Sequence, residues 1–171
     1  ILHTLNPRLF SEQIVYIINH AEDEVLMVDA DLVPVLEPLV PHLRTVEKWI
    51  VLTDRANMPD TALPGAICYE EWVEQEDGDY AWATGDERDP CGLCYTSGTT
   101  GNPKGVLYEH RSNVLHLLYA SQPDCVSMSS RDVVMPVVPL FHANGWGIGY
   151  SAPLAGASLV IAVDVQPNKL E

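Results

Sequence analysis

The chain has 171 residues, 47% of them apolar and 19% charged, with a net charge of −15. Such a chain is long enough to bury a core and has the composition of an ordinary globular domain, which excludes a disordered or fibrous protein. The acidic balance disfavours nucleic acid, which needs a basic footprint. The longest apolar stretches, 133–141 and 155–163, fall short of the ~18 residues of a membrane span.

No basic-then-apolar leader opens the chain, and the expected location is cytoplasmic. Ile1 already lies in an apolar run with no Met before it, and the end, Gln166-Pro167-Asn168, reads as the start of a helix. The chain is therefore expected to be an internal piece of a longer protein.

Residues 1–5 form a short predicted strand ending at Asn6-Pro7. Residues 11–19 read as a helix, with Ser11 a candidate cap and Ile14, Ile17 and Ile18 on one face. A buried strand is predicted at 25–28, a proline-bounded helix at 29–40 and a strand at 49–52. This alternation predicts an α/β fold with a parallel sheet covered by helices. Residues 54–89 differ: they hold Pro59, Pro64, Gly65, Gly78 and Gly85, and the second half carries nine acids against one base, Arg88. They read as a solvated connector with one short helix at 70–74.

Beyond residue 90, short strands are predicted at 93–95 and 106–108, separated by a ten-residue loop, 96–105. A helix at 112–121 places Val114, Leu117, Leu118 and Ser121 on one face. An apolar strand at 133–138 is interrupted by Pro136, and another strand, 157–163, is entered through a turn at Ala155-Gly156. The expected divisions are 1–53, 54–89 and 90–171.

The four cysteines are Cys68, Cys91, Cys94 and Cys125, with Cys91-Gly92-Leu93-Cys94 a C-x-x-C. A redox pair needs a helix N-terminus to lower a thiol pKa, whereas this pair leads into a Thr/Gly loop. A zinc site would have to recruit Cys68 or Cys125 from far along the chain. The simplest reading is two small packing residues at a strand edge, with a thiol switch as the alternative.

The loop reads Thr96-Ser97-Gly98-Thr99-Thr100-Gly101-Asn102-Pro103-Lys104-Gly105. Glycine allows positive φ and close approach of backbone to ligand. Successive N–H groups in that geometry make an anion-binding concavity. Hydroxyls donate to phosphate oxygens and offer hard oxygen ligands to Mg²⁺. Pro103 stiffens the stem, and Lys104 brings a point charge on a long arm. Charge-assisted hydrogen bonds of this kind contribute roughly 1.5–3 kcal/mol each. The acidic background is screened beyond ~8–10 Å, so a triphosphate can still be held. This is not the P-loop pattern: no Ser or Thr follows Lys104, and the flanks read as strands on both sides.

Leu93 through Lys104 resembles the signature loop of the adenylate-forming superfamily of acyl-CoA synthetases, luciferases and peptide-synthetase adenylation domains. Val137-Val138-Pro139-Leu140-Phe141-His142-Ala143-Asn144-Gly145-Trp146-Gly147 is similar to the acyl-pocket segment of bacterial and plant fatty-acyl-CoA ligases. The opening Leu2-His3-Thr4-Leu5-Asn6-Pro7-Arg8-Leu9, Asn19-His20-Ala21-Glu22-Asp23 and Tyr108-Glu109-His110-Arg111 also look like that group. The resemblance implies parts of the parallel, helix-flanked sheets of the large N-terminal domain of such an enzyme. The activity it implies is activation of a carboxylate by ATP to an acyl-adenylate, then transfer to coenzyme A. It brings fatty acid, ATP, Mg²⁺ and coenzyme A as expected partners, and a homodimer for the full-length enzyme.

Carried over by residue, Thr96 would coordinate Mg²⁺, and Ser97, Gly98, Thr99, Thr100, Gly101 and Lys104 would hold the β- and γ-phosphates. His142, Ala143 and Trp146 would border the acyl-adenylate, with Trp146 a gate to the acyl tunnel. On the residues alone, His142 and Trp146 read as packed core. Ala143 and Gly145 are smaller than the pattern expects, while Cys94 and Asn102 stand at tolerant positions. The adenylation Lys and ribose-binding Asp are not in this sequence, so the 171 residues are expected not to turn over alone. Two other functions remain open: an adenylate-forming ligase for a short, methylthio-bearing or aryl acid, and a non-catalytic nucleotide-binding or thiol-switch module.

Overall fold

The computed structural model describes residues 1–96 and 101–161. The predicted strand 157–163 therefore lies partly outside the described residues, as does the helix start after Gln166. The described chain is α/β, with its residues grouped into two compact units.

The first unit, in sequence order, opens with strand β1, Leu2–Thr4. The second unit follows at Asn6. It holds helix α1 (Ser11–Ala21), strand β2 (Val25–Asp29), the short helix α2 (Val33–Leu36), strand β3 (Lys48–Leu52), strand β4 (Ile67–Cys68) and helix α3 (Tyr69–Val73). Strands β2, β3 and β4 make a parallel three-stranded sheet in that order, with Val28 opposite Val51 and Ile50 opposite Ile67. The core is aliphatic: Ile14, Ile17, Ile18, Val33, Ile50 and Val51 are fully buried. The predicted isoleucine face of α1 is thus its buried face. Ser11 does not cap that helix. It occupies the first helical position, and the Gln13 side chain accepts the Phe10 N–H at 3.3 Å instead.

Three expectations need correction. Strand β2 buries only Val28, with Val25 and Met27 about half exposed, so it is covered on one face. The predicted helix 29–40 is broken into two 3₁₀ segments around α2, because Pro34, Pro38 and Pro41 each lack the N–H a continuous helix needs. Strand β1 does not join β2 and β3; it pairs in parallel with the later strand β5, Pro90–Thr96. The short helix predicted in the acidic segment is α3, but Ile67 and Cys68 ahead of it form a sheet strand.

Side chains tie this unit's loops. Asn19 donates to the His42 carbonyl and accepts from the Arg44 N–H, both at 2.9 Å. Glu37 accepts from the Ala62 N–H at 2.7 Å and the Thr61 hydroxyl at 2.9 Å.

The rest of the first unit is β5, strand β6 (Lys104–Glu109), helix α4 (His110–Ala120), strand β7 (Val133–Val134), helix α5 (Ile148–Ala155) and strand β8 (Ser158–Leu159). Its main sheet has the order β1-β5-β6, with β1 and β5 parallel and β5 and β6 antiparallel; β7 and β8 form a separate parallel pair. Pro136 confines β7 to two residues. The apolar face predicted for α4 is largely solvent-facing, with Val114 and Leu118 half exposed.

The Ala62 N–H, then the Thr61 hydroxyl, hold the Glu37 carboxyl below its ordinary range. Its stabilising contribution is therefore complete above the ordinary Glu pKa of ~4.3 and is lost as pH falls through the lowered folded value. Glu37→Gln keeps the acceptor and removes the charge. Urea midpoints should fall less steeply for E37Q than for the parent between neutral pH and pH ~3; identical pH profiles would contradict this.

Candidate functional site

The β5–β6 hairpin pairs continuously from Gly92 opposite Tyr108 to Thr96 opposite Lys104. Thr96, Lys104 and Gly105, assigned to the loop from sequence, are in fact ladder residues. Thr96 and Lys104 face each other at the end of the ladder, both exposed, with the Thr96 Oγ1 3.5 Å from the Lys104 carbonyl oxygen. Gly101 has φ of 98°, a conformation open to glycine and strained for other residues. Gly105 is small for a packing reason: a Cβ there would lie 3.2 Å from the Tyr95 ring and 3.3 Å from Leu93. The predicted phosphate ligands Ser97, Gly98, Thr99 and Thr100 lie outside the described residues. Strand β6, and not a helix, follows this segment, as the sequence reading expects.

Strand alternation places Cys94 and Thr96 on one face of β5, roughly 7 Å apart along the strand, and Leu93 and Tyr95 on the other. Cys94 is almost fully buried, and its thiol donates to Asn144 Oδ1. Burial pushes this thiol above its ordinary range, opposed in smaller part by the Asn144 backbone. Cys94 is thereby kept as a protonated donor.

Asn144 belongs to the second predicted stretch, and the backbone there is unusual. Ala143, Asn144, Gly145, Trp146 and Gly147 all have positive φ, from 44° to 73°. They form a left-handed turn of the 3₁₀ type, Ala143–Gly147, leading directly into α5. For non-glycine residues this region costs roughly 1–2 kcal/mol each, less for Asn. Two glycines are demanded by contact as well. A Cβ at Gly145 would lie 2.8 Å from Leu140 Cδ2, and one at Gly147 would lie 3.0 Å from Leu117 and 3.2 Å from His116. At 145 the positive φ of 63° is the firmer demand for glycine, since the Leu140 side chain could shift. The turn is held by Gly145 N–H to the His142 carbonyl at 2.9 Å, by Cys94 to Asn144, and by His116 of α4, whose Nε2 lies 3.2 Å from the Trp146 carbonyl oxygen. A carbonyl only accepts, so His116 carries a proton on Nε2.

The packed-core readings of His142 and Trp146 do not hold: His142 is exposed, and Trp146 is 58% exposed, its ring projecting from the turn. His142, Ala143 and Trp146 are brought together in one surface segment. Sequence reasoning missed Cys94, Asn144 and His116. The Asn-Gly dipeptide followed by Trp-Gly was the available signal, since Asn and Gly are the residues that tolerate the left-handed region. Cys94 is also more constrained than a tolerant position implies.

The thiol-switch reading fails on geometry. All four cysteines are free. Cys91 and Cys94 lie in the central strand β5 rather than at an edge, three residues or ~10 Å apart, beyond the ~7 Å limit for a disulfide. Cys91 instead accepts from Asn113 Nδ2 at 3.1 Å.

Thr96 suits a hard cation as one exposed hydroxyl donor. Among the described residues, no group of three or more His, Cys, Asp and Glu side chains is placed to hold a metal ion.

Comparison with known proteins is consistent across sequence and structure. The chain is 50% identical over 161 residues to 3-methylmercaptopropionyl-CoA ligase of Ruegeria pomeroyi, covering 94% of this chain and 30% of that protein. It is 47% identical over 161 residues to a medium-chain-fatty-acid–CoA ligase of Ectopseudomonas oleovorans, with the same coverage. The fold is shared with the crystal structure of a long-chain-fatty-acid–CoA ligase from Archaeoglobus fulgidus, at a TM-score of 0.79 and 23% identity over 96% of this chain and 31% of that one. The chain thus spans about 30% of the length of the curated relatives it matches. The family described as AMP-binding enzyme matches residues 1–170, and the chain belongs to that family.

Proposed function

We propose that this chain is part of an acid–coenzyme A ligase that activates a carboxylate with ATP and passes the acyl group to coenzyme A. The observation that carries this reading is the end of the β5–β6 ladder, where exposed Lys104 and Thr96 face each other. These two residues offer a cation and a hydroxyl to one anion.

In the first half-reaction a carboxylate oxygen attacks the α-phosphorus of ATP, the new C–O–P linkage forms, and the bond to pyrophosphate breaks. Both reactants are anions, so the protein's task is to position them and neutralise charge developing on the leaving phosphates. Lys104 offers its ammonium to the β- and γ-phosphate oxygens, and Gly101, with Ser97, Gly98, Thr99 and Thr100, offers amides and hydroxyls. Mg²⁺, when bound, would supply further charge neutralisation, with Thr96 as one oxygen ligand. In the second half-reaction the coenzyme A thiolate attacks the acyl carbonyl, a thioester forms, and AMP leaves with the former carboxylate oxygen. His142, Ala143 and the projecting Trp146 border the acyl part, Trp146 giving an alkyl chain a broad apolar face.

A second reading concerns the acid. The relatives' names include both a medium-chain fatty acid and a methylthio-bearing short acid. Ala143 and Gly145 are both small, leaving the width of the pocket to their neighbours. A panel of carboxylates tested with the full-length enzyme separates the two: a maximum at short, sulfur-bearing acids supports the second reading, and a maximum at longer alkyl acids supports the first.

Two measurements test the site. In the full-length enzyme, Lys104→Ala should lower ATP-dependent turnover by ~10²–10³-fold, as loss of a transition-state charge contact does, with fatty-acid binding little changed. Trp146→Ala should leave nucleotide binding intact and change chain-length preference. If both variants altered only thermal stability, the assignments would be wrong. The purified 171-residue chain, given ATP, Mg²⁺ and mixed fatty acids, should release no pyrophosphate above background; robust release would place the whole chemistry within these residues.

A further inference from the structure

We infer that Cys94 and His116 are positioning residues for acyl-chain selection: together they hold the left-handed turn Ala143–Gly147 and so fix where the Trp146 ring stands. The inference rests on the reading of Trp146 as part of the acyl pocket, but the argument for positioning is independent of the ligand.

Five consecutive residues with positive φ are not held by local preference, since Ala143 and Trp146 gain nothing from that region. Strain of this kind persists only where surrounding structure over-determines it. Two anchors do so, and they come from different elements. Cys94 of the central strand β5 donates its S–H to the Asn144 side chain. His116 of α4 donates from Nε2 to the Trp146 carbonyl at 3.2 Å. The first fixes the start of the turn to the sheet and the second fixes the backbone of Trp146 itself. His116 and Leu117 also pack close to Gly147, where an added Cβ would lie 3.2 Å and 3.0 Å from them. Release of either anchor would let the turn relax towards ordinary φ values, which swings the Trp146 side chain because its Cα–Cβ direction follows the backbone. Neither Cys94 nor His116 needs to touch the acyl chain.

Cys94 also sits two residues before Thr96 on the same strand face, so the anchor ties the pocket wall to the hairpin that carries the proposed phosphate grip. Chain-length selection should therefore depend on a thiol and an imidazole that lie outside the acyl-contacting segment.

The test uses the full-length enzyme and the ratio of kcat/KM between long and short carboxylates, with KM for ATP as the control. Cys94→Ala and His116→Leu remove the donors; Cys94→Ser and His116→Gln keep one. The donor-less variants should change the long-to-short ratio by about fivefold, the worth of one net hydrogen bond, with KM for ATP within about twofold of the parent. The donor-keeping variants should restore the parent ratio. A uniform loss across all acids, or an unchanged ratio, would overturn the inference. His116 is exposed, so its pair of variants decides the matter even if Cys94→Ala fails to fold. Trp146→Ala separates the two layers: if it changes the ratio while the anchor variants do not, positioning alone is wrong. If Trp146→Ala leaves the ratio unchanged, the acyl-pocket reading fails.

Discussion

The hydrogen-bonded pairing of β5, parallel to β1 on one side and antiparallel to β6 on the other, fixes both halves of the candidate site at once. The antiparallel partner brings Lys104 opposite Thr96 at the end of the ladder. Two residues earlier on the same strand, Cys94 offers the donor that seats the left-handed turn. A strand bonded on both edges has little freedom to shift, which suits the placement of groups that must meet a charged ligand within tenths of an ångström.

The two units build their stability differently. The unit around the parallel sheet has a closed aliphatic core, with Ile17, Ile50 and Val51 wholly buried. The unit that carries the candidate site buries few large apolar side chains; Leu107, Leu115, Leu118, Tyr119 and Leu154 are each about half exposed or more. Its order rests more on strand pairing.

Much of this was legible in the sequence, for physical reasons that can be named. The isoleucine spacing in α1 reported a helix face, and the flanking β-branched and aromatic residues reported strands on both sides of the Gly/Thr segment. The Pro-Lys-Gly end of that segment reported a stiff stem with a cation. What failed was non-local or set by proline. Pairing of β1 with β5 spans some ninety residues, and no local pattern encodes it. Three prolines converted an apolar periodic run into short 3₁₀ pieces. The short strand β4 was hidden in an acidic segment because two residues carry too little periodicity to see. The left-handed turn was half-visible: Asn144, Gly145 and Gly147 favour it, but its anchors Cys94 and His116 lie fifty and thirty residues away.

The account's central claim is that the Thr96–Lys104 end of the β5–β6 ladder grips the phosphate tail of a nucleotide. The direct measurement is equilibrium titration of the full-length protein with ATP in the presence of Mg²⁺, comparing the parent with Lys104→Ala. Saturable binding by the parent, weakened by at least about tenfold in the variant as expected for loss of a charge-assisted contact, is the predicted result. A full-length protein that ignores ATP, or binds it equally with and without Lys104, would contradict the account.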